Sequence, residues 1–526
     1  MDNSLLVIGN IVVERSMCMN WLAVFASIPI LWIMVELMFV KKNNSTLKAS
    51  VHTLIITIIL AVSVWKMSIS HVIIASFEGM VMSIWPISSV IVAAVFLYNI
   101  CNYSGNIQYI RDTLSSVSTD KRVLVLLVAW GFGGFIEGIA GFGTSIAIVA
   151  SMLLTLGFSP IYSALIALAA NPISSVFGSL GVQMPTLSRV TGLSVSDLAI
   201  YSTYVVVPLV LLTPFVLVYI TGKEYNIRPI IGEIWIFVTI SALSFAVSMY
   251  LVVKYVNEDL TGVAGAICSL VVMLIMTWIS SGKKVLLLRM PREKITKQLI
   301  AWAPFILCII FLTVTSKLFL PINELLSHVK ITIPISLGEK SSDYVINLFT
   351  TSTPWIFLSA FLGGKLQGIS MKQSLKILYS TFIQMWRTIV TLILLLSISR
   401  IMTYSGMIKE IAESLVQLTG MAYIFVVPFL GSVGGFITGS ATSANVLLGN
   451  LQVIAAGELG RSPSWFMAFS IVGGTIGKMI SPQNIAIGLS AVEISGKESE
   501  LFKRIIVWYI IYICVLVGMS IVIYSV

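Results

Sequence analysis

One phrase occurs in two versions: GGFIEGIAGFGTS at residues 133–145 and GGFITGSATSANV at residues 434–446. Each sets glycines, hydroxyl side chains and one ionisable or amide group into otherwise apolar sequence. Polar groups and broken backbone are costly in hydrocarbon, and they persist where protein or a water-lined cavity satisfies them. The pair therefore implies helices interrupted inside a bilayer, with a polar binding region at the interruptions. Working outward, the likeness continues. GFSP (157–160) corresponds to GRSP (460–463), and FGSLGVQ (177–183) to IGKMISPQ (476–483). The spacing is 301 residues at Gly133/Gly434, 303 at Pro160/Pro463 and 300 at Gln183/Gln483, as expected of an internal repeat.

Composition sets the class. Of 526 residues 57% are hydrophobic and 10% charged, with mean hydropathy +1.00. Soluble domains carry roughly 25% charged residues, so the expected fold is an all-α polytopic membrane protein. A net charge of +10 does not point to nucleic acid, because the basic residues fall in short loops between apolar runs. Five cysteines without CxxC spacing give neither a disulfide framework nor a zinc site. The opening MDNSLLVIGNIVVERS lacks a basic region followed by a cleavage site, so no cleaved signal peptide is expected.

A spanning helix needs about 20 mostly apolar residues. On that basis spans are expected at 20–40, 50–70, 198–221, 232–255, 261–279, 298–320, 347–363, 375–403 and 505–524, with Trp85-Pro86 kinking a long run at 71–101. Stretches 121–185 and 420–496 are interrupted every few residues by Gly, Pro, Ser, Thr or Asn and read as broken helices and re-entrant hairpins. The expected organisation is N-terminal spans with an amphipathic lead-in (1–120), a first broken-helix unit (121–196), scaffold spans with a basic central loop (197–404), a second broken-helix unit (405–496) and a C-terminal span (497–526). Short basic loops stay cytoplasmic. Lys41, Lys42 and Lys48, the loop 281–297 at +5 net, and Lys365, Lys372 and Lys376 set the orientation. Threaded through the spans, they make the two units enter the membrane from opposite sides, as inverted-topology repeats do.

Glu137 is the first candidate for chemistry. A carboxylate deep in an apolar run finds a partner or binds a proton, which makes it a candidate for proton coupling; the bland alternative is a packing hydrogen bond between helices. Lys478 is the second intramembrane charge. It is placed to meet a substrate carboxylate, or Glu137 when substrate is absent, unless it snorkels to the surface. Gly141 and Gly143 free backbone groups, and Thr144, Ser145, Asn171, Thr438, Ser440, Thr442, Ser443, Asn445, Gln483 and Asn484 supply uncharged donors and acceptors to the binding region. Ser174, Ser175 and Gln183 add polar groups at the same breaks. Taken singly, each is an ordinary helix cap or interhelical bond. Arg387 and Arg400 are read mainly as snorkelling, and Glu36 and Glu78 as paired or interfacial. His52, His71 and His328 have no ligand spacing, and no nucleotide fingerprint occurs, so neither metal, cofactor nor direct ATP drive is expected.

The chain resembles the L-lactate permease family. The resemblance rests on FLYN (96–99) with IRDTL (110–114), FIEGIAGFGTSIAI (135–148), FITGSATSANVLLGNLQ (436–452), GKMISPQNIAIG (477–488) and GKESELF (496–502). It implies a proton-coupled symporter of small 2-hydroxymonocarboxylates such as lactate and glycolate in the bacterial cytoplasmic membrane, with about 12 to 14 transmembrane segments in two inverted-topology repeats. The chain leaves the family pattern at Ser145, where proline is expected, at NPISSVFG (171–178) against NTAPVAFG, at Ala441 and at Gln183. Partners expected are a small carboxylate, a proton and the bilayer. Which carboxylate, whether sodium replaces the proton, and whether the chain forms homo-oligomers stay open. The competing classes are an anion channel and an intramembrane enzyme using Ser440 or Ser443, for which no His or Asp is placed to activate a serine.

Overall fold

The computed structural model describes residues 5–8, 11–14, 21–39, 45–115, 117–141, 143–227, 233–280, 292–337, 340–494 and 496–525. Lys41, Lys42 and most of the basic central loop lie outside these residues. In chain order, strands β1 (Leu5–Ile8) and β2 (Ile11–Glu14) precede helices α1 (Trp21–Phe39), α2 (Ser45–Ser63) and α3 (Ile69–Met82). A π turn at Ser83–Ser88 leads into α4 (Ser89–Tyr103), followed by α5 (Asn106–Ser115). The first broken unit comprises α6 (Lys121–Val125), a π segment at Leu126–Phe132, α7 (Gly133–Ile139), α8 (Thr144–Thr155), α9 (Pro160–Ser175), the short turn α10 (Gly178–Gly181) and α11 (Gln183–Thr191). Then follow α12 (Val195–Tyr225), α13 (Glu233–Tyr255), a 3-10 turn at Glu258–Leu260, α14 (Thr261–Ser280), α15 (Arg292–Val314) and α16 (Leu320–Ser327). An antiparallel hairpin, β3 (Lys330–Leu337) with β4 (Lys340–Asn347), precedes α17 (Thr353–Leu366), α18 (Met371–Ser405) and α19 (Met407–Thr419). The second broken unit is α20 (Tyr423–Thr438), α21 (Ala441–Glu458), α22 (Pro463–Met479) and α23 (Pro482–Ala491), and α24 (Glu498–Ser525) ends the chain.

Among the described residues, ten helical stretches are long and apolar enough to cross a membrane, and three shorter apolar helices accompany them. The protein is a predominantly helical, multi-pass membrane protein with two short hairpins. Its apolar surface is what lipid requires: Trp235, Ile236, Leu251, Val507 and Val522 are exposed on α13 and α24. Boundaries differ from the sequence expectation in several places: the span expected at 298–320 is α15, Arg292–Val314, and α12 and α24 begin three and seven residues earlier than expected. The span expected at 347–363 begins only at Thr353, because β4 runs to Asn347. The span expected at 50–70 ends at Ser63, and α18 extends to 35 residues. At Trp85-Pro86 the expected kink is a π turn with Trp85 in extended backbone (φ −131°, ψ 127°).

Both broken units follow one order: helix, break, helix, helix, break, helix. Glycines supply the left-handed backbone the breaks need, Gly143 at φ +79° before α8 and Gly439 at φ +64° before α21. A side chain adds steric cost there, whereas glycine does not. Within the second unit α20 and α22 touch backbone to backbone. A methyl group on Gly435 would collide with the Gly474 carbonyl, and one on Gly477 with the Ser432 carbonyl. Small residues four apart on facing helices permit this approach in a membrane. It delivers the last turn of α22, with Lys478, to the centre of the molecule.

Candidate functional site

Glu137 stands in the last turn of α7 and is 1% exposed. Three elements converge on its carboxylate. The first turn of α8 brings Ser145, whose hydroxyl donates to Glu137 Oε2 at 2.8 Å. The C-terminal half of α9 brings Asn171 and Ser175, four residues apart and so on one face. Ser175 Oγ lies 2.6 Å from Glu137 Oε1 and 3.0 Å from Asn171 Oδ1. From the other unit, Lys478 Nζ reaches Glu137 Oε1 at 2.7 Å and Ser175 Oγ at 2.9 Å. Asn171 Nδ2 closes the ring by donating to Ser145 Oγ at 2.9 Å.

The result is one buried ion pair whose anion accepts from fixed donors on both oxygens. Charge-assisted bonds of this kind are the strong ones, and they offset part of the cost of taking two ions out of water. The single hydroxyl hydrogen of Ser175 serves either Glu137 or Asn171, while a lone pair accepts from Lys478. The ring therefore holds an internal choice that a change of charge at Glu137 would settle.

The second unit's break is bonded mostly within itself. Ser440 caps α21 by accepting from the Ser443 N–H, and Thr438 Oγ1 lies 2.8 Å from both the Gly434 and Ser440 carbonyls. Asn445 donates to the Ala441 carbonyl and accepts from Ser470. Asn484 joins the two breaks of this unit, donating to Lys478 O at 2.9 Å and Gly439 O at 3.4 Å. It also borders the first unit, since a methyl group on Gly143 would lie 3.3 Å from its Oδ1.

Of the residues singled out in the sequence, Glu137, Ser145, Asn171 and Lys478 share one network, and Gly143 and Asn484 adjoin it. Gly141 packs on Ser179 at the neighbouring break. Thr144, Ser440 and Thr442 are partly exposed and Gln483 is exposed, so these four are not enclosed as the ion pair is. Ser175 is the central residue that the sequence reading left among the supporting polar groups. A signal for it existed: the 303-residue spacing of Pro160/Pro463 sets Ser175 against Lys478.

The remaining charges are placed differently. Arg400 on α18 pairs with Glu78 on α3 at 3.4 Å, donates to the Arg189 carbonyl on α11 at 2.6 Å, and touches Met82 Sδ. Tyr404 donates to Glu78 at 2.8 Å. Arg387 is exposed and stacks over Trp386, and Glu36 pairs with His52. Among the described residues no group of three or more His, Cys, Asp or Glu is arranged to hold a metal ion.

Comparison with known proteins follows the same lines. The family model for L-lactate permease matches residues 22–526. An L-lactate permease of Streptococcus iniae is 41% identical over 448 residues, covering 85% of this chain and 93% of that protein. The glycolate permease GlcA of Escherichia coli K12 is 32% identical over 520 residues, covering 91% and 92%. A solved structure of Neisseria gonorrhoeae MtrF, titled as one of a class of antimetabolite efflux pumps, is 13% identical with a TM-score of 0.46, over 97% of this chain and 95% of that one. Permeases are transporters rather than enzymes, and the match runs through both broken units: the chain belongs to the L-lactate permease family.

Proposed function

We propose that this chain is a secondary transporter that moves a small 2-hydroxymonocarboxylate of the lactate and glycolate class together with a proton. The observation that carries the reading is the buried pair between Glu137 and Lys478. A carboxylate substrate and the Glu137 carboxylate compete for one cation. A proton on Glu137 abolishes its charge and releases Lys478 for the substrate carboxylate. Removing that proton restores the pair and expels the anion. Either both passengers are bound or neither is, so the coupling follows from charge balance in a low-dielectric site.

Four helix N-termini, those of α8, α11, α21 and α23, begin at the breaks, and helix N-termini favour anions. Thr144, Ser145, Thr438 and Ser440 are the hydroxyls proposed to recognise the substrate's 2-hydroxyl. The units 121–196 and 405–496 are proposed as inverted repeats that move together against the remaining spans, exposing the site to each side in turn.

The test is uptake of labelled lactate and glycolate into proteoliposomes, with proton and sodium gradients imposed separately. An inward proton gradient should drive accumulation and a sodium gradient should not. Glu137→Gln should retain exchange of substrate for substrate and lose accumulation. Undiminished uphill uptake by that variant, with unchanged pH dependence, would remove Glu137 from the coupling role.

A further inference from the structure

The turn at 177–182 separates two acidic side chains. On one side, a methyl group on Gly178 would lie 3.7 Å from Glu137 Oε1. On the other, a methyl group on Gly181 would lie 3.4 Å from Asp259 Oδ1 and 2.8 Å from its Cα. Between them Ser179 and Leu180 hold left-handed backbone at φ 52° and 53°, followed by Gly181 at φ 67°. Left-handed geometry costs about 1–2 kcal/mol at each non-glycine residue, and surrounding contacts must sustain it. Ser179 Oγ donates to Ala140 O at 3.1 Å, and Gly181 N–H to Phe177 O at 3.1 Å. Three residues of chain extend at most about 10 Å, so Gly178 and Gly181 set the two carboxylates on opposite sides of one short turn.

Asp259 differs from Glu137 in its surroundings. It lies in the 3-10 turn before α14, held by Asn257 Oδ1 on its N–H at 2.7 Å, and its carboxyl accepts from Ser352. It is partly exposed where Glu137 is buried. Among the described residues no lysine or arginine lies within ion-pair distance, so its charge is not committed to a partner. The titratable groups facing it are Glu258 on the same turn and Cys308 on α15; Lys254 at the end of α13 is exposed and bonded to Tyr250.

We propose that Asp259 is a second carboxylate on the proton's route, exchanging protons with the aqueous phase and relaying them to Glu137 across the strained turn. The proposal rests on the reading of Glu137 as the coupling group. A hydronium ion protonates an Asp259 oxygen and leaves as water. The proton passes through bridging water to a Glu137 oxygen, breaking its ion pair with Lys478, and Asp259 is again a carboxylate. In a purely structural role, Asp259 would serve only as an acidic residue of the 3-10 turn that precedes α14.

Two assays in proteoliposomes separate these roles: net uptake driven by a proton gradient, and substrate exchange at equal pH, which needs no net proton movement. Asp259→Asn should slow net uptake about tenfold or more and flatten its dependence on external pH, with exchange near the wild-type rate. Asp259→Glu should restore both. Wild-type net uptake and pH dependence in Asp259→Asn overturn the proposal, as does an equal loss in both assays. Glu137→Gln run in parallel distinguishes the failures. If it too keeps proton-driven uptake, the coupling reading falls; if it alone is uncoupled, only the relay falls.

Discussion

A buried ion pair is a poor way to stabilise a membrane protein. Desolvating each ion costs several kcal/mol, and replacing a pair by apolar side chains is often neutral or favourable. Glu137 and Lys478 are therefore better understood as a site than as a brace. Removing one partner has a different consequence from removing both. Lys478→Met strands the Glu137 anion and should cost about 3–5 kcal/mol, seen as a fall in folded yield and in the thermal midpoint in detergent. Glu137→Gln combined with Lys478→Met should recover the midpoint and still fail to bind lactate by calorimetry. A recovered midpoint with binding intact would show that the substrate carboxylate does not use Lys478. Ser175→Ala removes a hydroxyl shared by both ions, worth about 1.5–3 kcal/mol for a bond to a charged group, and should lower the midpoint by a few degrees. The two ions were legible in the sequence because charge inside an apolar run is rare. Ser175 was not, because hydroxyls pack between membrane helices everywhere. Ser145 stood out as a hydroxyl of the binding region and as a departure from the family pattern, linked to substrate choice. In the structure its hydroxyl bonds Glu137, so that departure touches the ion pair itself.

Among the elements, α20 and α22 carry the greatest demand for shape. Gly431 and Gly435 on one helix and Gly473 and Gly477 on the other are each four residues apart, and each meets backbone of the facing helix. Lys478 follows directly on this seam. Gly435→Ala sets a methyl group against the Gly474 carbonyl; overpacking of this kind costs about 1–3 kcal/mol and would turn or lift α22. Substrate binding should fall together with the thermal midpoint. Gly518→Ala on α24, where nothing lies within 4 Å of the added carbon, should change neither. Equal behaviour of the two variants would mean that the seam does not position the lysine. Hydropathy made the helices readable because a 20-residue apolar run has few other uses. The same averaging hid β3 and β4, whose eight-residue strands are shorter than the window, and moved the expected start of α17 six residues early. The break residues were legible as glycines, but not the left-handed serine and leucine at 179 and 180, since neither residue type signals that backbone.

Across the whole molecule, the last turns of α18 connect the long spans to both broken units. Arg400 donates to the α11 carbonyl of Arg189, and Thr403 Oγ1 accepts from Asn450 on α21. Arg400 also faces Glu78, so its charge stays neutralised whether or not the α11 bond is made. Movement of the broken units against the spans would then cost these two hydrogen bonds rather than leave a bare buried cation. Two roles are combined here, and a pair of variants separates them. Arg400→Met leaves Glu78 with only the Tyr404 hydroxyl, at about 3–5 kcal/mol, and should fold poorly. Glu78→Gln with Arg400→Met removes both ions and should return the midpoint to near the wild-type value. In that folded double variant α11 loses its bond to α18 and keeps its packing on α21 and α12. A cysteine placed at Thr191, in a background freed of native cysteines, should react faster with a water-soluble maleimide than in the otherwise unaltered chain. Unchanged reactivity would mean that Arg400 serves to neutralise Glu78 and that the attachment of α11 lies elsewhere.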